Sequence, residues 1–103
     1  MRFLLKAEMG HEAANAAVQN GSLSTTIQEI LDDLKPEAAY FTASNGKRTA
    51  LLVVNIDDAS QIPALAEPWF LALGANIELT PVMVADDLKK AGPAIEQAMK
   101  KYA

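Results

Sequence analysis

Cysteine is absent from the 103 residues, and histidine occurs once, as His11. The first absence excludes disulfides, thiolate metal sites and a cysteine nucleophile. With a single imidazole besides, there is no donor set for a dedicated transition-metal centre. Basic residues are scarce: nine Lys and Arg stand against thirteen Asp and Glu, a net charge of −4. Phosphate backbones are bound through clustered Lys and Arg, so nucleic acid is not an expected partner. Glycine-rich phosphate loops are missing too, and nothing implies a cofactor. No apolar run approaches the roughly 20 residues of a bilayer-spanning helix, so no membrane partner is expected. The opening residues, Met1-Arg2-Phe3-Leu4-Leu5-Lys6, meet charge too soon for a secretory segment, which makes a cytoplasmic location the expectation.

What is present is an ordinary globular composition, 50% apolar and 21% charged. A chain of this length suits one domain, residues 1–103, with surface enough to bury one core. No internal repeat, low-complexity tract or linker interrupts it.

Local patterns divide the chain. Phe3 to Met9 alternates apolar and polar residues and reads as a strand ended by Gly10. His11 to Asn20 is Ala-rich and helical, closed by Asn20-Gly21. A second helix carries the stripe Leu23, Ile27, Ile30, Leu31 and Leu34, with Thr26 and Glu29 matching a capping box, and Lys35-Pro36 stops it. Ala38–Ala43 and Lys47–Ile56 read as strands joined by an Asn45-Gly46 hairpin turn. The run Ala50 to Val54, apolar on both faces, marks a central strand. After Asp57, Asp58 and Ser60, all possible caps, a helix buries Ile62, Leu65, Ala66, Trp69, Phe70 and Leu73, with a bend at Pro68 and a stop at Gly74. Trp69 and Phe70 fall on that stripe and read as core. Ala75 to Val84 is a last strand, set at an edge by Pro81. Asp86 to Tyr102 is helical and divided at Gly92-Pro93.

The order β, α in two pieces, β, β, α, β and a terminal helix predicts an α+β fold: a ferredoxin-like βαββαβ sandwich with an antiparallel four-stranded sheet and an extra C-terminal helix. Right-handed crossovers place both helical layers on one face. The expected arrangement has the first and third strands central and parallel to each other. Alternation then puts Leu4, Lys6, Glu8, Tyr40, Leu51, Val53, Asn55, Asn76, Glu78 and Val82 on the opposite, open face. Its apolar members form a patch of the kind that marks a contact surface, and a homodimer through the open sheet face is the leading expectation. The alternative is a C-terminal helix that folds over its own sheet.

The run Leu34-Lys35-Pro36-Glu37-Ala38-Ala39-Tyr40-Phe41, with Ala66-Glu67-Pro68-Trp69-Phe70 further on, resembles a family of small bacterial proteins of unknown function. In its element order the whole chain resembles the dimeric α+β barrel group of ferredoxin-like proteins. That resemblance implies a fold and an assembly. Some members of the wider group are cofactor-independent monooxygenases, lactone isomerases or haem-handling enzymes, but none of their catalytic residues matches here position by position.

The polar residues of the open face are the candidate ligand-binding set: Lys6, Glu8, Tyr40, Asn55, Asn76 and Glu78, with His11 on the loop above. Strand directions as expected gather them at one end. Glu8 and Glu78, close on neighbouring strands, would raise one carboxyl pKa and make an acid or base. The bland reading is a set of inter-subunit ion pairs or a solvated rim. For His11 it is an exposed first-turn residue. A hard cation on Glu8, Asn76 and Glu78 lacks any calcium-loop spacing, so no metal is expected. Two functions stand side by side: a homodimeric domain that binds a small ligand at the open face, and a cofactor-independent monooxygenase or isomerase using Glu8, Glu78, Tyr40 or His11. A third, an amino-acid-sensing module, would place its ligand at the Gly10 turn. Whether the chain is an enzyme stays open at this point. RNA-recognition motifs stack bases on aromatics of the central strands, where this chain has Leu4, Lys6, Leu51 and Val53.

Overall fold

Asn45 and Gly46 have φ values of 54° and 74°, the paired positive angles of a two-residue hairpin turn. They join the strands β2 (Ala38–Ser44) and β3 (Lys47–Asn55) of a computed structural model that describes residues 1–103. The other strands are β1 (Arg2–Glu8) and β4 (Asn76–Pro81). The helices are α1 (His11–Gln19), α2 (Leu23–Leu34), α3 (Ile62–Leu73), α4 (Ala85–Lys90) and α5 (Gly92–Tyr102), with a short 3-10 turn at Ala59–Gln61 leading into α3. The fold is α+β.

The sheet runs β2-β3-β1-β4, and every neighbouring pair is antiparallel. The central strands β1 and β3 are therefore antiparallel, not parallel as the sequence reading expected. The hairpin forces this. A crossover through α1 and α2 returns β2 parallel to β1, with one strand between them. The Asn45-Gly46 turn then reverses β3 against both.

Alternation along the strands decides what the helices cover. Leu5, Ala7, Ala50, Leu52 and Val54 form the floor of the core, and Ala14, Ala17, Ile30, Leu65, Trp69 and Leu73 descend on it from α1, α2 and α3. All three helices thus sit on one face. The α2 stripe lies against this core as its spacing requires. Gly10 makes the junction between layers tight: its N–H donates to the Leu73 carbonyl at 2.9 Å, where α3 ends in a left-handed Gly74.

Two local expectations need correction, and the alternative of a C-terminal helix folded over its own sheet falls. Helix α2 starts at Leu23, with Ser22 as its cap position, so Thr26 and Glu29 lie inside the helix and form no capping box. The Asn20 side chain takes up the Ser22 N–H at 2.9 Å and starts the helix a turn earlier. Ile62 and Phe70 are 38% and 43% exposed and are not core, because the buried side of α3 is narrower than its apolar content. The terminal helices leave the sheet entirely. Every residue of α4 and α5 is exposed, so this arm does not cover its own open face. It stretches the molecule to 59 Å along its longest axis.

Candidate functional site

The open face of the sheet is a grid whose rows follow from strand register. One row runs Ala38, Val53, Leu4, Thr80, the next Tyr40, Leu51, Lys6, Glu78, and the third Thr42, Thr49, Glu8, Asn76. Side chains directly opposite one another sit roughly 5 Å apart, and diagonal ones about 7–8 Å apart. The face therefore grades from apolar at Leu4 and Val53 to polar at Glu8 and Asn76. Leu4, Leu51, Val53 and Val82 are half-buried and receive no cover from α1, α2 or α3.

Four of the seven candidate residues meet on this grid. Lys6 stands directly across from Glu78, and Glu8 across from Asn76. Glu78 thus has a cation as its nearest cross-strand neighbour and Glu8 only on the diagonal. Glu8 is also held from the hairpin, where Asn45 Nδ2 donates to its Oε2 at 3.1 Å. Thr49, beside Glu8 on β3, is fully buried and donates its hydroxyl to the Lys47 carbonyl at 3.0 Å. Lys6 and Glu8 are half-buried while Asn76 and Glu78 are exposed, so the quartet is reachable from solvent. Chemically it offers two carboxylates, one ammonium and one amide, suited to hold a small polar molecule by hydrogen bonds.

The other three candidates lie elsewhere. Tyr40 shares a row with Lys6, but Leu51 separates them, so the phenol is two strands away, roughly 10 Å. Asn55 pairs with Arg2, at the end of β1 opposite Glu8. Six residues of strand, roughly 20 Å, divide them. The expectation of one shared end fails for Asn55 because β3 runs opposite to the direction assumed. His11 opens α1 in the helical layer, exposed and without a hydrogen bond, beside an open hollow that Gly10 and Gly74 also line. The Gly10 turn is closed by packing: a Cβ there would lie 2.9 Å from the Gly74 carbonyl oxygen.

With the true directions, Asn55 joins residues that the sequence reading did not single out. Arg2 Nε donates to both carboxylate oxygens of Glu37, at 2.9 and 3.2 Å, and Asn55 Nδ2 reaches Glu37 Oε1 at 3.5 Å. Correct strand polarity would have brought Arg2, Glu37 and Asn55 together from sequence. The pair is exposed and ties the entrance of β2 to β1, a structural task. Elsewhere one carboxyl is perturbed. Asp58 sits below the ordinary aspartate range because the Ser60 backbone N–H, and then its hydroxyl, hydrogen-bond the charged form.

No group of three or more His, Asp and Glu side chains converges on a point where a metal ion could sit. No helix is long and apolar enough to cross a membrane. No curated protein matches the sequence. A family model described as a domain of unknown function, DUF3303, matches residues 1–96, and the chain belongs to that family.

Proposed function

We propose that this DUF3303 domain works as a homodimer of ferredoxin-like subunits joined through the open sheet face, with a small polar ligand bound at the Lys6, Glu8, Asn76 and Glu78 end. The observation that carries this reading is the grading of the face. Apolar Leu4 and Val53 lie uncovered in the row at one end, Leu51 lies beside Lys6 in the middle row, and the polar quartet fills that row and the one at the other end. Apolar patches of this kind mark contact surfaces. The strand order, the antiparallel directions and the placement of all packed helices on one side support the ferredoxin-like assignment. A second subunit over the apolar end would turn the open quartet into an enclosed site, where hydrogen bonds to a ligand gain strength from lost solvent. A cytoplasmic setting accords with the cysteine-free sequence.

A thermal-shift screen against small carboxylic acids, aromatics and haem tests the ligand claim. A ligand at 100 times its Kd stabilises the folded form by about 2.7 kcal/mol, which raises Tm by roughly 10 °C or more in a domain this small. Glu8→Gln and Glu78→Gln together abolish the shift if the quartet is the site. A shift that persists unchanged in the double variant places the ligand elsewhere. The dimer claim is tested separately by sedimentation equilibrium.

A further inference from the structure

The arm made by α4 and α5 is apolar along one side and covered by nothing. Val84, Leu88, Ala91, Ile95, Met99 and Tyr102 recur at spacings of three and four, which aligns them on one helical stripe. Only Ala91 separates the two helices, and the ladder runs on across it: Ile95 N–H donates to the Ala91 carbonyl at 3.1 Å. Lys89, Lys90, Glu96, Lys100 and Lys101 occupy the other side, with Lys100 and Glu96 paired at 3.6 Å. Ile95 is 56% exposed, Met99 58% and Tyr102 79%. Helices shorter than about 12–15 residues are marginal in water without packing. An arm with this pattern has a place to pack, and its own subunit does not supply it.

We infer that the arm lays this stripe across the open sheet face of a second copy of the chain and receives that copy's arm in return. This rests on the open-face dimer proposed above and names what covers the face. The subunit carries both halves of a complementary pair, an uncovered stripe and an uncovered apolar sheet surface, and neither meets the other within one chain. A two-fold axis satisfies both at once, with no surface left to recruit a third copy. The reach is sufficient: the 18 residues Ala85–Tyr102, helical but for Ala91, span about 27 Å at 1.5 Å per residue, against roughly 15–20 Å across four strands.

Area points the same way. Burying the large stripe side chains takes on the order of 500 Å² from one arm, so two arms and their two acceptors give about 2,000 Å², the size of a permanent interface. Charge is also complementary. Residues 1–82 hold five basic and ten acidic side chains, whereas residues 83–103 hold four basic and three acidic. A weakly basic arm thus approaches an acidic body, which favours the encounter at long range, while its lysines stay on the solvent side of the stripe.

The cysteine-free chain makes the test direct, since introduced thiols report without background. The full chain is studied by sedimentation equilibrium beside the double variant Ile95→Glu with Met99→Glu, whose fold is checked by far-UV circular dichroism. Dimer dissociation is expected to strengthen on the order of 100-fold in the variant, since truncating central anchors of an interface has effects of that size. In parallel, a Met99→Cys copy is mixed with a Leu51→Cys copy and oxidised. A disulfide between the two copies is expected. If the double variant dimerises as tightly as the parent and Leu51→Cys instead cross-links to itself, the sheets pack face to face: arm exchange is overturned and the open-face dimer survives. A parent chain that stays monomeric overturns both. Masses that grow beyond the dimer with concentration overturn the reciprocal closure.

Discussion

Replacing Gly10 with Ala isolates a single steric contact. Gly10 has φ −67° and ψ 135°, ordinary extended angles that any residue adopts, so the substitution strains no backbone dihedral. Its effect comes from space alone. The new Cβ would lie 2.9 Å from the Gly74 carbonyl oxygen and 3.4 Å from that of Leu73. Both obstacles are backbone at the end of α3, and Gly10 N–H is itself bonded to the Leu73 carbonyl at 2.9 Å, so relief requires α3 to move away from the start of α1. Overpacking of this kind typically costs about 1–3 kcal/mol, offset by roughly 0.4–1 kcal/mol because alanine restricts the unfolded chain. The net loss is about 1–2 kcal/mol, a fall in Tm of roughly 5–15 °C for a domain of this size. Thermal melts and urea titration measure it. A shifted midpoint with an unchanged m-value is expected, since the native surface is hardly altered. Gly92→Ala is the control: nothing lies within 4 Å of its added Cβ and its φ is not positive, so Tm stays or rises. Should Gly10→Ala melt at or above the parent temperature, the close approach of α1 to α3 is not as described and the reasoning fails.

Trp69 is fully buried, yet its indole N–H has no hydrogen-bond partner. Trp69→Ala should destabilise by about 3–5 kcal/mol, whereas Trp69→Phe should fall within about 1 kcal/mol of neutral, because removing an unpaired buried donor offsets the smaller ring's lost packing. A large loss in the Phe variant by urea titration would mean that the N–H is bonded. Gly46→Val places a branched residue at φ 74° in the hairpin and should cost about 1–2 kcal/mol. A variant as stable as the parent would show that the turn relaxes to another type. The carboxylate of Asp58 is favoured in the folded state, so its contribution is present above the unfolded pKa and lost as pH falls through the lowered folded one. The Tm gap between parent and Asp58→Ala should accordingly be full near neutral pH and close in acid below the ordinary aspartate range. A gap that does not change with pH would show that charge plays no part in the cap.

Local features were legible because local physics sets them. The hairpin needed only Asn45-Gly46 and two flanking alternating runs, and the two positive φ values appear where that pair stands. The α2 stripe and the faces of β1 and β3 followed from periods of 3.6 and 2. The same alternation correctly set Lys6, Glu8 and Glu78 on the side away from the helices. What failed was the direction of β3 relative to β1, and it carried away Asn55, Arg2 and Glu37 with it. Strand polarity is a property of connections, so an error there moves every residue of a strand from one end of the site to the other while leaving each on its proper face.

Phe70 and the terminal arm show a second limit. Periodicity states which side of a helix is apolar, and burial of that side is then assumed to happen within the subunit. Residues at the flank of an apolar stripe are buried only as far as the neighbouring element extends, and α3 overhangs the edge strand β4, leaving Phe70 beside a shallow hollow with Ile77 and Leu79. For α5 nothing in the subunit extends at all. Its stripe is as regular as that of α2, yet α2 lies on the core and α5 on nothing. The two helices differ in their connections: α2 lies on the crossover between two strands of the same sheet, whereas the arm leaves the sheet after β4. A helix on a crossover must pack where its strands put it. One that leaves the sheet can reach a neighbour, and its apolar stripe is then open to assembly.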